Sequence, residues 1–162
     1  MPAPRDTAER PIERWFASYS DDHQNPLNQW LHVVCVPLIL WSVVALLWAI
    51  PVPGTLFGPG AFAALAMFLA WMFYYRHSRP LGFGMLAVFV VFAWGTRWLH
   101  GQLGGAGLAW LALGVFVTAW IGQFVGHYRE GRRPSFLTDL TYLLIGPAWV
   151  LNKLYRKFGW KY

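Results

Sequence analysis

The sequence is short of charge, shorter still of acid, and almost without cysteine. Charged residues make up 12% of its 162 positions, with seven Asp and Glu against thirteen Lys and Arg. Soluble domains carry about a quarter, so this chain lacks the polar side chains that would cover a surface in water. Cys35 is the single cysteine, which excludes an intramolecular disulfide; it lies in an apolar run and reads as a small buried side chain. No stretch alternates with the period of a barrel strand, so a membrane barrel is excluded. HExxH, HxxxH and a CxxC pair are all missing, and no short metal-binding motif stands in their place. The start, MPAPRDTAERPIERW, has no apolar segment of the kind a signal peptide needs. Residues 1 to about 12 are expected to be poorly ordered.

What is abundant is apolar surface. Hydrophobic residues reach 57%, tryptophan occurs eleven times, and the mean hydropathy is +0.38. Four apolar runs follow one another at about 31–50, 60–75, 81–99 and 107–126, each near the 20 helical residues that cross a roughly 30 Å hydrocarbon core. Pro51, Pro53 and Gly54 close the first run, and Pro37 within it predicts a kink. RHSRP closes the second, HGQLGG separates the third from the fourth, and YREGRRPS follows the fourth. Residues 12–20 suit a short amphipathic helix lying on the membrane. The tail at 135–160 is apolar but cut at Gly146-Pro147, and each half is too short to span. It predicts a pair of interfacial or re-entrant helices, with Lys153, Arg156, Lys157 and Lys161 against headgroups. The expected fold is therefore all-α: a polytopic membrane protein of four transmembrane helices plus those C-terminal helices. It divides into an N-terminal tail and amphipathic segment, 1–22, and one membrane domain, 23–162.

Charge sorts the two sides. With four spans, twelve of the thirteen basic residues fall on the side of the N-terminus, and only Arg97 falls near the other. The positive-inside rule puts the crowded side, with both termini, in the cytoplasm. The net charge of +6 is thereby assigned to anionic headgroups; no basic helix with base-reading spacing points to nucleic acid. The same count sorts the histidines. His23, His32, His77 and His127 come out on the cytoplasmic side, and His100 alone on the other.

Histidine in or near hydrocarbon is costly without a partner and marks a functional site by default. In HQNPLNQWLH, Asn28 and His32 are four apart on one helical face, Pro26 suits an early helical position, and His23 can fold back. In QFVGH, Gln123 and His127 are again four apart, while Gly122 and Gly126 let another helix approach closely. Imidazole ligation suits iron, zinc, copper or nickel, with a carboxylate from Asp21, Asp22, Glu130 or Asp139 as an optional partner. Each residue also has a plainer reading. The histidines can bond carbonyls or headgroups, Asn25 and Asn28 can cap a helix, and Arg132 and Arg133 can be ordinary cytoplasmic cations.

Two stretches carry a resemblance. HQNPLNQWLHVVCVP, residues 23–37, resembles the N-terminal signature of the Mpo1-like (DUF962) family. QFVGHYREGRRPSFLTDLTYLLIGPAWVL, residues 123–151, resembles its C-terminal signature. The resemblance implies a membrane-embedded Fe(II)-dependent dioxygenase of fatty acid α-oxidation. Its substrates are O2 and a 2-hydroxy fatty acid, cleaved between C1 and C2 to give the acid one carbon shorter. It further implies essential histidines at His23, His32 and His127. His77 is carried as a fourth metal ligand from its side of the membrane. Gln123 joins the catalytic set, and Asn25, Asn28, Arg132 and Arg133 the substrate-binding set. The sequence departs from the fungal pattern at its tail, where Asn152 or Lys153 stands in place of a glutamate. That places it in a bacterial-type branch with the inner membrane as its location, and leaves another 2-hydroxy acid, or another substrate altogether, open.

Three other classes stay open on the sequence. A non-catalytic lipid-binding or structural membrane protein predicts tolerance of histidine substitution. A zinc-dependent membrane hydrolase needs only three ligands. A transporter or channel has little support, since only Arg97 is charged within the spans and a pore would need a homo-oligomer.

Overall fold

The computed structural model describes residues 11–53, 57–131 and 141–161, and among them every regular element is a helix: α1 (Pro11–Asp21), α2 (Pro26–Ala49), α3 (Ala61–His77), α4 (Arg79–Glu130) and α5 (Tyr142–Lys157). Residues 1–10, 132–133 and the first part of the 135–160 tail lie outside the described residues.

α2 and α4 are long and apolar enough to cross a membrane. α2 begins with a complete local signal. Asn25 is the N-cap, its side-chain oxygen accepting the Leu27 N–H at 2.9 Å, and Pro26 follows at the first helical position, where its missing N–H costs nothing. α3 and α4 meet at one residue. The Ser78 N–H closes α3 onto Tyr74 O, and its hydroxyl oxygen faces the Leu81 N–H at the start of α4.

The sequence predicts separate helices at 81–99 and 107–126. They are the two arms of α4, separate helices that meet at Gly104, whose φ of 68° and ψ of 178° are non-helical. A φ in this range is available to glycine at little cost and to other residues only with strain. Residue contacts fix the course of the chain. At one end, Gly60 lies under the Trp48 ring and Gly105 near Ala49 O; at the other, Gly122 meets Cys35 and Gly126 meets Asn28. The arm 105–130 thus runs antiparallel to α2. Ala45, Leu108 and Ala112 pack together near the hinge. α3 runs against α2, and the arm 79–103 runs with it, so α2, α3 and the two arms form an up-down-up-down bundle.

α1 and α5 close the end of the bundle where α2 starts. Ile12, Phe16 and Tyr19, at spacings of four and three, put one face of α1 into a cluster with Ile145, Ala148 and Trp149 of α5. The apolar face of α1 is therefore covered by protein, where the sequence suggested lipid. α5 corrects a second expectation. It runs unbroken through Gly146-Pro147, and Ile145 to Trp149 are all buried. Pro147 offers no N–H to Leu143 O; the segment is tied to α3 next to it, where Leu144 O accepts the Tyr74 hydroxyl at 2.8 Å.

Candidate metal centre

Three of the five histidines meet at the start of α2. His23 lies in the link between α1 and α2, His32 two turns into α2, and His127 in the last turn of α4. One nitrogen of each lies within 4.8 Å of the others, and all three rings are at least 95% buried. The ring centroids stand 4.2 to 5.0 Å apart, at steep angles to one another.

Their outer nitrogens explain the orientation. His23 Nδ1 donates to Tyr19 O at 2.5 Å and His32 Nδ1 to Asn28 O at 2.9 Å. Each acceptor is a helical carbonyl four residues back. A carbonyl only accepts, so in both rings the proton sits on Nδ1 and the lone pair on Nε2. Those two lone pairs then face each other at 3.0 Å with no hydrogen between them. That arrangement is repulsive unless a cation lies alongside, and it is the pattern of metal-ligating histidines, whose second nitrogen is held by a carbonyl or carboxylate. His127 adds a third imidazole, its Nδ1 buried without a partner. Three neutral imidazole nitrogens within 4.8 Å of one another can hold one metal ion, so the residues fit a divalent metal. Burial drives the pKa of His23 below its ordinary value, against the raising effect of the Tyr19 carbonyl, which favours the neutral ligand form.

The surroundings are aromatic on one side and acidic on another. Tyr19 stacks on His23 at 4.2 Å, and Trp149 lies at 5.7 Å from the same ring. Trp149 is itself fixed by an indole N–H to Ser20 Oγ at 2.9 Å. Glu130, on the sequence a possible ligand, is engaged elsewhere. Its carboxylate accepts the backbone N–H groups of Gln24 and Asn25 and the side-chain amide of Asn28, all at 2.9–3.1 Å. It locks the His23–His32 segment to the end of α4, a role the sequence reading missed. The only signal was an acidic residue three positions after the histidine.

The other expected site residues divide. Gln123 is buried beside His32 and His127, with its amide nitrogen unpartnered. The three line one end of an apolar cavity of about 350 Å³ whose far end reaches Val43 and Phe116. Asn25 and Asn28 are caps and anchors of α2 and do not line that cavity. His77 does not join the trio: its Nδ1 donates to Phe73 O at 2.7 Å and its ring packs on Trp15 and Phe73. His100 sits at the far end of the bundle, near Arg97 and Trp48. Arg132 and Arg133 lie outside the described residues.

Neither a curated protein nor a solved structure matches the chain. The family model described as 2-hydroxy-palmitic acid dioxygenase Mpo1-like matches residues 10–158, nearly the whole sequence, and the chain belongs to that family.

Proposed function

We propose that this protein is a metal-dependent dioxygenase of the membrane, cleaving C1–C2 of a 2-hydroxy fatty acid. The observation that carries the reading is the pair of Nε2 lone pairs held face to face by two carbonyl-bound Nδ1 groups. His23, His32 and His127 hold Fe(II), and iron bound there would supply the activation of O2 that an organic side chain cannot. His77 is not needed as a fourth ligand, and the substrate itself is a candidate for remaining positions.

The rest follows from the chain's own groups. Three neutral imidazoles leave the charge of a divalent ion uncompensated, and a buried charge needs an opposite one; a carboxylate-bearing substrate supplies it. Gln123 donates its free amide N–H to a head-group oxygen, which fixes C1 and C2 beside the trio. The acyl tail occupies the apolar cavity toward Val43 and Phe116. Aromatic and aliphatic walls keep water out. The reaction balances without an outside reductant. C2 passes from alcohol to carboxyl and C1 leaves as CO2, and the four electrons released reduce O2, giving the shortened acid and water.

The four runs are read as four membrane passes, with α1, α5 and both termini on the cytoplasmic face of a bacterial inner membrane. The bundle course and the one-sided basic charge support this.

The test is metal content of protein purified without oxygen in detergent, beside His32→Ala and His127→Ala. We expect about one iron per chain, lost in both variants with helicity unchanged, and formation of the acid one carbon shorter under O2. Zinc in place of iron would favour hydrolysis. No metal after iron has been supplied would end the dioxygenase reading.

A further inference from the structure

A second apolar recess, separate from the histidine cavity, opens between α2, the arm 79–103 and α5. It measures about 560 Å³, and none of the three histidines lines it. Leu40 and Pro147 form the wall between it and the histidine cavity. Val33 to Leu40 on α2 and Met85 to Phe92 on α4 each span seven residues, so the groove is about 10 Å deep at 1.5 Å per residue. Its lining is apolar with two exceptions, Lys153 and Lys157.

The lysines lie four apart on one face of α5. They stand at the end of the bundle where α2 begins, because Lys153 Nζ donates to Gln29 Oε1 at 2.7 Å. No acidic residue lines the groove. The Gln29 amide takes one ammonium donor and the Trp149 ring lies 4.2 Å from the same ammonium; neither neutralises its charge. Burial and the neighbouring Arg156 both disfavour the charge on Lys153, and an anion placed there would relieve that. Charge at the rim and hydrocarbon below match an amphiphile lying in a bilayer leaflet.

We propose that this groove binds an anionic phospholipid of the surrounding bilayer, its phosphate on Lys153 and Lys157 and an acyl chain along Val33, Leu40, Val88 and Phe92. A phosphate offers enough oxygens to bridge two ammonium groups, and a zwitterionic choline headgroup adds a cation where two already stand. The site is also joined to the histidine trio, since Gln29 Nε2 donates to His23 O at 2.7 Å. The assignment does not depend on what the histidines hold.

The test is native mass spectrometry of the full chain in detergent, titrated with dioleoylphosphatidylglycerol, dioleoylphosphatidylcholine or oleate. A lysine at headgroup level contributes about fivefold in affinity, so the double variant Lys153→Gln/Lys157→Gln should lose about thirtyfold for phosphatidylglycerol. Lys157→Gln alone, at an exposed position, should lose about fivefold and guards against misfolding of the double variant. Val88→Trp should weaken binding with both lysines in place, and Arg76→Gln/Arg79→Gln should leave it unchanged. Equal affinity for phosphatidylcholine would overturn the proposal, as would an equal loss in the Arg76/Arg79 variant, which would mean diffuse electrostatics. Oleate binding as tightly as phosphatidylglycerol would reassign the groove to free fatty acid and overturn it too.

Discussion

Glu130→Gln keeps the size of the side chain and removes its charge, so it separates anchoring from ligation. Two backbone N–H groups and the Asn28 amide lose a charged acceptor, a change worth about 1–3 kcal/mol. Thermal unfolding in detergent should fall accordingly, and bound metal should drop in affinity while remaining detectable. Complete loss of metal with unchanged unfolding would make Glu130 a ligand instead. Acidity acts on the same spot. His23 has its pKa lowered from 6.5 by burial, so below that value the unfolded chain takes up a proton that the folded chain resists. Stability therefore rises with pH through this window and declines as pH drops below about 6.5. Melting of metal-free protein between pH 5 and pH 8 checks it; a flat profile would contradict the burial of a neutral ring. At this scale the sequence was informative where spacing alone places a side chain. His32 four from Asn28, and His127 four from Gln123, fall together as helical geometry requires. His77 escaped the same reasoning because its position depends on packing against Trp15 of α1, which no local pattern records.

The helices test whether close approach matters where the glycines allow it. A Cβ on Gly126 would collide with the Asn28 side chain, and one on Gly122 with Cys35 Sγ at 2.7 Å, whereas Gly95 and Gly114 have nothing within 4 Å. Gly126→Ala should separate α2 from the arm 105–130, cost about 1–3 kcal/mol by overpacking, and weaken metal binding by displacing His127 from His32. Gly95→Ala should be neutral or stabilise by about 0.5–1 kcal/mol through helix propensity. The comparison is read from melting curves and metal titration of the two variants; equal behaviour would remove any special role for the Gly126 contact. The small-residue pairing was legible from spacing. The continuity of α5 was not, because Gly146-Pro147 is a breaker by local rules. Burial of that segment against α1, and the Tyr74 hydroxyl on Leu144 O, override those rules through partners distant in sequence. The hinge at Gly104 was anticipated only as a longer turn.

For the molecule as a whole, the distribution of charge said most about topology. On a four-span reading the sequence assigns twelve basic residues to one side and Arg97 to the other, and the bundle places Arg97 and His100 together at the end opposite the trio. Four passes predict that maleimide reagents reach Gln24→Cys and Gly104→Cys, each in a Cys35→Ser background, from opposite faces of the membrane. Labelling of both from one face would sink the four-pass topology. The site itself could be foreseen as one end of the bundle and three histidines meeting there. Its inner arrangement, two rings fixed by their own helical carbonyls and a carboxylate spent on anchoring, arises only when the ends of the chain come together.

That anchoring has a consequence in time. Glu130 lies 106 positions after Gln24. At about 5–20 residues per second, a ribosome needs about 5–20 seconds to supply it after Gln24 has been made. Throughout that interval the link bearing His23 has no latch, and the amides at 24 and 25 must be satisfied by water or headgroups. The site is thus among the last parts of the protein to be assembled, and a chain released early would carry two of the three histidines with nothing to hold them in register.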